Sequence, residues 1–321
     1  MKNKQVWQFA ADSLRQEIPV MLLAVVESAG ASPGRAGFKM AIAATGERCG
    51  TIGGGIMEVN WVEQSLQSLK NGGALPSVRR IFHSRETAHE QSGLICSGSQ
   101  TMLSVLLDSP SRDVVNKIAE RYAQKKYGEL EISPRGLALH TDTLNDDDVW
   151  FSSRREDDWL YKENVGVLDT IYIVGSGHVG LALSRVMATL DFRVVAIDDR
   201  GTVETFAKNA YADEKILSTY DKLGDFVRDG NRSYVAVVTT AYKSDEAALK
   251  SLFAKQPHYI GVMGSAAKLK QIFDDLKNEG ISDEQLNRIH APIGVQIGSH
   301  TAEEIAVSIA AEIIKVRNGS A

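Results

Sequence analysis

From Asp169 to the end, the chain alternates short apolar runs, at 171–174, 192–197, 234–239, 259–263 and 293–297, with stretches of helical periodicity. Strands separated by helices cannot pair as hairpins. They pair in parallel through right-handed crossovers, which confines this half to a doubly wound parallel sheet with helices on both faces. The last helical stretch agrees: Ile305, Ile309, Ile313 and Val316 make one apolar stripe, and Thr301 and Glu304 are spaced as a capping box.

The first of these strands runs into Gly175-Ser176-Gly177-His178-Val179-Gly180, which fits the G-x-G-x-x-G pattern of dinucleotide-binding loops. A helix follows, with Val179, Leu183, Val186, Met187 and Leu190 on one face. Gly175 permits the tight turn, Gly177 lets a pyrophosphate approach the backbone, and Gly180 lets helix and strand pack closely. The helix N-terminus, where His178 lies, stabilises the anion. Asp198 ends the next strand, where an acid accepts ribose hydroxyls. The run Asp198-Asp199-Arg200 leaves NAD and NADP both open, since Asp198 suits an unphosphorylated ribose and Arg200 a 2′-phosphate. Two more candidates lie in this half. Gly264, Ser265 and Lys268 follow a strand at the edge where open sheets bind ligands, or else form a capped helix start with a solvated lysine. The segment 288–294 holds His290 and Pro292, with His290 readable as a proton donor or as a satisfied core histidine.

The first half reads as a mixed α/β domain. Its pattern predicts a helix over 6–17, strands over 20–28, 38–43 and 48–52, a helix over 56–69, strands over 77–83 and 101–108, and a helix over 113–126. The polar, partly acidic stretch 141–164 predicts solvated turns, with domains over 1–165 and 166–321. Gly53, Gly54 and Gly55 open a helix, so their amides either cradle an anionic group or make a tight strand-to-helix connection. Glu58, in the first turn, also suits the helix dipole. Cys96 is either a thiolate for a soft metal or a small buried hydrophobe. The segments around Ser32-Pro33, Gly53–Gly55 and Cys96 are expected to converge beside the cleft between the domains.

Charge and cysteine content narrow the functional classes. The 36 basic and 41 acidic residues are scattered and sum to −5, which argues against a nucleic-acid partner. Neither a signal-peptide pattern nor an apolar run of membrane-spanning length is present, so the expected setting is the cytoplasm, away from the membrane. Cys49 and Cys96 are the two cysteines, too few for a disulfide framework and not spaced for zinc.

These segments together resemble the XdhC/CoxI family, accessory proteins of xanthine dehydrogenase and related molybdenum hydroxylases. Gly30-Ala31-Ser32-Pro33 with Gly37 is similar to the family's GSSP-type loop, Gly50 to Gly55 with Glu58 to its GSIGGG element, and Gly93 to Gly98 around Cys96 to its Cys-Gly-Gly turn. In the second half, 173–180, 196–200, 259–265, 290–298 and 303–312 resemble family segments. Two departures stand out: Ser97 replaces a glycine, and Thr240-Ala241-Tyr242 stands where relatives often carry histidine and aspartate. The resemblance implies an XdhC/CoxI-type N-terminal domain and a Rossmann-like C-terminal domain. It implies a chaperone that binds molybdenum cofactor, as molybdopterin or its dinucleotide form, and shelters it during sulfuration. Cys96 and Gly98 would lie near the metal, the client would be an apo molybdenum hydroxylase, and a cysteine desulfurase would supply sulfur. An NAD(P)-dependent oxidoreductase using Lys268 or His290, and a nucleotide-sensing module without chemistry, are the competing readings. A homodimer is the commonest assembly for such a chain.

Overall fold

The computed structural model describes residues 3–30, 32–73, 76–83, 98–141, 143–145, 147–155 and 157–319. The chain divides into two compact units, Met1–Val167 and Leu168–Ala321.

In the first unit the elements run α1 (Asn3–Arg15), β1 (Val20–Gly30), β2 (Lys39–Ala43), β3 (Arg48–Gly50), α2 (Gly55–Lys70), β4 (Ser77–His83), β5 (Gly98–Leu107), α3 (Arg112–Ala123), β6 (Tyr127–Ser133), β7 (Gly136–Thr141), β8 (Val149–Arg155) and β9 (Asp158–Gly166). They build two antiparallel sheets, ordered β3-β2-β1-β5-β4 and β7-β6-β9-β8. The central strand β1 is buried on both faces from Val20 to Val26, because successive side chains feed two cores. Leu22, Ala24 and Val26 pack with Trp7 and Leu14 of α1, Ile118 of α3, and Trp159 and Tyr161 of the second sheet. Met21, Leu23 and Val25 pack with Met57, Trp61 and Val62 of α2.

In the second unit the order is β10 (Thr170–Val174), α4 (His178–Thr189), β11 (Arg193–Asp198), α5 (Glu204–Ala207), β12 (Glu214–Leu217), α6 (Leu223–Phe226), β13 (Gly230–Val237), α7 (Tyr242–Leu252), β14 (Pro257–Val262), α8 (Ala266–Asn278), α9 (Asp283–Asn287), β15 (Ile289–His290) and α10 (Ala302–Arg317). All pairings are parallel, in the order β12-β11-β10-β13-β14-β15. One face carries α4 and α10 through Leu183, Met187, Ile309 and Ile313, and the other carries α7 and α8 through Leu249, Leu252, Ile272 and Leu276. The sheet is therefore doubly wound. The chain builds outward from β10 through β11 and β12, then returns to β13 on the other side of β10. The switch point of this topology, where open α/β sheets bind ligands, lies at the carboxyl ends of β10 and β13.

Two sequence expectations need correction. The stretch 141–164 is not a run of solvated turns: it contains β8 and most of β9. Its polar residues lie largely on exposed β8, while Trp159, Tyr161 and Val165 of β9 point into the core, as an antiparallel sheet with one wet face allows. The run 293–297 is not a strand. Ile293 is buried, but Gly294 has φ 95° and donates to Glu312, and the Val295 amide donates to the Ser308 carbonyl, so this segment docks on α10. The parallel edge is instead the two-residue β15, followed by the cis Ala291–Pro292 bond.

Candidate functional site

The fingerprint loop follows β10 at the switch point. Gly175 has φ 100°, and a Cβ there would lie 2.9 Å from the Thr239 backbone, so only glycine fits the turn. At Gly180 a Cβ would lie 2.1 Å from the Gly175 carbonyl oxygen, which is the close packing of helix on loop that the pattern predicts. Gly177 is different, for nothing lies within 4 Å of its Cβ position. The loop thus has two glycines demanded by packing and one that leaves its backbone open to a ligand. Ser176 is buried, and its hydroxyl has no partner among the described residues, while the Thr205 hydroxyl donates to the Ser176 carbonyl. His178 is exposed at the first position of α4.

Asp198 does not face outward to a ribose. It is fully buried, and its carboxylate accepts the Ser176 amide at 2.6 Å, the Arg200 amide at 3.0 Å, and the Arg200 guanidinium at 3.0 and 3.2 Å. Those contacts fill the roughly four acceptor positions of a carboxylate. Burial pushes the Asp198 carboxyl up, but the Arg200 guanidinium and the two amides outweigh it and hold it below the usual aspartate range. Its contribution to stability is therefore complete above the unfolded pKa, about 3.9, and is lost as pH falls through the lower folded value. Acid unfolding should be shallower in Asp198→Asn than in wild type below about pH 4, measured by urea titration at a series of pH values. Asp199 is exposed and lies 3.5 Å from Arg200.

Of the other second-unit candidates, Lys268 and His290 find carboxylate partners. The Ser265 side chain caps α8 by accepting the Lys268 amide, so its capping reading holds. Lys268 itself is not a freely solvated lysine: it forms an ion pair with the wholly buried Asp245, which also accepts the Thr239 hydroxyl. Gly264 lies against the Lys268 stem, where a Cβ would meet it at 3.3 Å. His290 stacks on Tyr259 with ring centroids 4.6 Å apart, and its Nδ1 lies 3.4 Å from Glu312. Pro292 is exposed beyond it.

In the first unit, Gly53, Gly54 and Gly55 all have positive φ, at 130°, 78° and 73°. A Cβ on Gly53 would lie 2.7 Å from the Gly34 nitrogen and 2.9 Å from the Pro33 carbonyl carbon, so the Ser32-Pro33 loop and the triple-glycine loop do meet. Ser32 donates to the Gly34 carbonyl. The triple-glycine cradle is already served from within: Glu58 accepts the Thr51 hydroxyl at 2.6 Å and the Ile52 and Gly54 amides at 3.0 Å. Its carboxylate is the anion of this loop, which favours the connection and capping reading of Gly53–Gly55. Gly98 pairs with Gly30 and His83 across β5. Cys96 lies outside the described residues, so its convergence with the glycine loops carries no structural statement. Cys49 sits in β3, with burial pushing its thiol up.

Comparison with known proteins follows the same division of the chain. The profile of the XdhC Rossmann domain matches residues 171–313, and that of the XdhC and CoxI family matches residues 13–81. The chain belongs to the XdhC/CoxI family. It is 24% identical over 318 residues to the uncharacterized protein YqeB of Escherichia coli K12, a match covering 97% of this chain and 46% of YqeB. It is 28% identical over 147 residues to a probable xanthine dehydrogenase subunit of Bacillus subtilis 168, covering 46% of this chain and 42% of that protein. With the molybdenum cofactor insertion chaperone PaoD of E. coli K12 it shares 21% identity over 316 residues, 98% of this chain and 89% of PaoD. The matches thus span less than half the length of the first two relatives and most of PaoD. A crystal structure named as a xanthine dehydrogenase from Bacillus halodurans shares the fold, with a TM-score of 0.74 at 21% identity over 100% of this chain and 97% of that one.

Two carboxylates of the second unit, each holding one of the candidate residues, escaped the sequence reading although a signal was available. Asp245 occupies the first position of the inward stripe Asp245, Ala248, Leu249, Leu252 on α7. Glu312 interrupts the apolar side of α10 beside Ile309 and Ile313. A carboxylate in an apolar stripe is expensive to bury alone, so each required a partner. Among the described residues no helix is long and apolar enough to cross a membrane.

Proposed function

We propose that the chain is a cytoplasmic accessory protein that binds molybdenum cofactor, shelters it while a sulfur ligand is installed, and hands it to an apo molybdenum hydroxylase of the xanthine dehydrogenase type. The carrying observation is the loop 175–180, open at Gly177 for a phosphate while its neighbouring acid, Asp198, is committed to Ser176 and Arg200. Such a site reads phosphate more than ribose, which suits a pterin phosphate or a pterin dinucleotide better than a nicotinamide carrier. Membership of the XdhC/CoxI family, and a relative named as a molybdenum cofactor insertion chaperone, support the same reading. In it, the second unit offers Gly175, Gly177, Gly180 and the start of α4 to a phosphate, and the first unit's own candidates for contact with the cofactor are Ser32, Pro33, Gly98 and Cys96. The bound cofactor supplies a molybdenum centre for oxygen-transfer and hydroxylation chemistry in the client. A cysteine desulfurase is the partner that would deliver sulfur, and the working assembly is a homodimer.

The test is cofactor analysis of protein purified from cells that make molybdopterin. Wild type and Cys49→Ser should retain molybdenum and release a fluorescent oxidised pterin, whereas Cys96→Ser should fold but lose most of the metal and fail to activate its client. Equal client activation by Cys96→Ser and wild type would reduce that cysteine to packing. Substrate-dependent reduction of NAD(P) by protein free of molybdenum would replace the chaperone reading with an oxidoreductase.

A further inference from the structure

The Asp245–Lys268 pair has no role in the phosphate loop, yet it sits against the same switch point. Thr239 follows β13 and packs on Gly175 of the loop, and its hydroxyl donates to Asp245. Asp245 has no exposed surface, whereas the Lys268 side chain is 21% exposed, so the pair runs from the core to the open edge of the sheet. A buried ion pair contributes little stability that an apolar pair would not match. Of the other buried residues of α7, Ala248, Leu249 and Leu252 are apolar, and Glu246 is served by Lys243 and Lys250 of its own helix. What the carboxylate accomplishes is orientation. With its stem along Gly264 and its head on Asp245, Lys268 is held at the carboxyl edge next to the loop. Asp245 is its one ion-pair partner among the described residues, and an ammonium has three N–H donors, so donors remain for a ligand. The unpartnered, buried Ser176 hydroxyl is a further polar group left over at the same edge.

We propose that Lys268, held in place by Asp245 and Thr239, receives an oxyanion on the part of the ligand that extends beyond the glycine loop. The proposal rests on the reading of 175–180 as a phosphate site and adds a second anionic contact to it. Lys268 would touch the ligand, and Asp245 and Thr239 are positioning residues. Removing the Asp245 charge therefore acts on the ligand through the lysine, in the same direction as removing the lysine itself.

The experiment is calorimetric titration of the full chain with two probes, ADP and nicotinic acid adenine dinucleotide, which shares the ADP portion and carries a carboxylate at its far end. Wild type should bind the dinucleotide more tightly than ADP. Lys268→Met should weaken the dinucleotide about tenfold or more while leaving ADP within about twofold. Asp245→Asn, which keeps the side-chain shape but releases the ammonium, should also weaken the dinucleotide, by less than Lys268→Met does, and leave ADP within about twofold. Lys268→Gln serves in place of Lys268→Met if thermal unfolding shows that variant to be misfolded. Unchanged dinucleotide affinity in the lysine variant, equal losses for both probes, or tighter dinucleotide binding by Asp245→Asn would overturn the proposal while ADP binding to the loop stands. Binding of neither probe to wild type would overturn it together with the phosphate reading of the loop. Loss of molybdenum retention with the probe results intact would strike the chaperone reading alone.

Discussion

Glu163→Ala should destabilise the first unit by about 3–5 kcal/mol, the range for breaking a buried ion pair by removing one partner. Glu163 and Lys39 have side chains 3% and 1% exposed and meet at 2.6 Å. Glu163 also accepts the Tyr161 hydroxyl at 3.0 Å and the Asn3 amide at 3.3 Å, while Lys39 donates to the Gly37 carbonyl at 2.8 Å. Alanine at 163 leaves a buried ammonium without its counter-charge and a buried phenol without its acceptor. Wild type and variant can be compared by urea unfolding followed by tryptophan fluorescence. All four tryptophans, Trp7, Trp61, Trp150 and Trp159, belong to the first unit, so the signal reports that unit alone. The paired replacement Lys39→Met with Glu163→Leu should recover most of the loss, because it leaves no unpaired charge. A Glu163→Ala loss below about 1 kcal/mol would mean that water reaches the site and the pair is not desolvated.

The second large effect separates two glycines three residues apart. Gly180→Ala places a methyl 2.1 Å from the Gly175 carbonyl oxygen, a backbone atom that moves only with β10 or α4. It should destabilise the second unit by about 3 kcal/mol and abolish ligand binding with it, since overpacking at a rigid contact displaces the loop. A Cβ at Gly177 meets no atom within 4 Å and φ there is −69°, so Gly177→Val should unfold at the wild-type temperature. Its affinity for ADP should nevertheless fall about a hundredfold, because the added side chain occupies the approach of the phosphates to the backbone. Calorimetric titration and thermal unfolding of the same preparations give both quantities. A folded Gly177→Val that binds ADP like wild type would remove the nucleotide site from this loop.

Local pattern carried much of the second unit. The strand β10, the glycine turn, α4 and β11 were legible because strand and helix periodicity and the steric needs of Gly175 and Gly180 are properties of neighbouring residues. The capping box of Thr301 and Glu304 is present for the same reason, its two groups lying within one helical turn. In the first unit β4 over Ser77–His83 and the helix that follows the three glycines were equally readable.

What sequence order could not supply was partnership between distant residues. The polar strand β8 gains its identity from pairing with β9, and the apolar run 293–297 loses strand identity because, after the Ile293 amide bonds to Val262 of β14, its partner from Gly294 onward is α10. Asp198 turned onto Ser176, and Asp245 beneath Lys268, are both outcomes of burial. A carboxylate's role depends on which donors surround it once water is excluded. The sequence by itself therefore determined the doubly wound sheet and the glycine turn that leaves the backbone open at Gly177, since those follow from periodicity and from glycine's missing Cβ. Only the tertiary structure decided which acids remain available to a ligand, because that depends on donors brought together from separate elements.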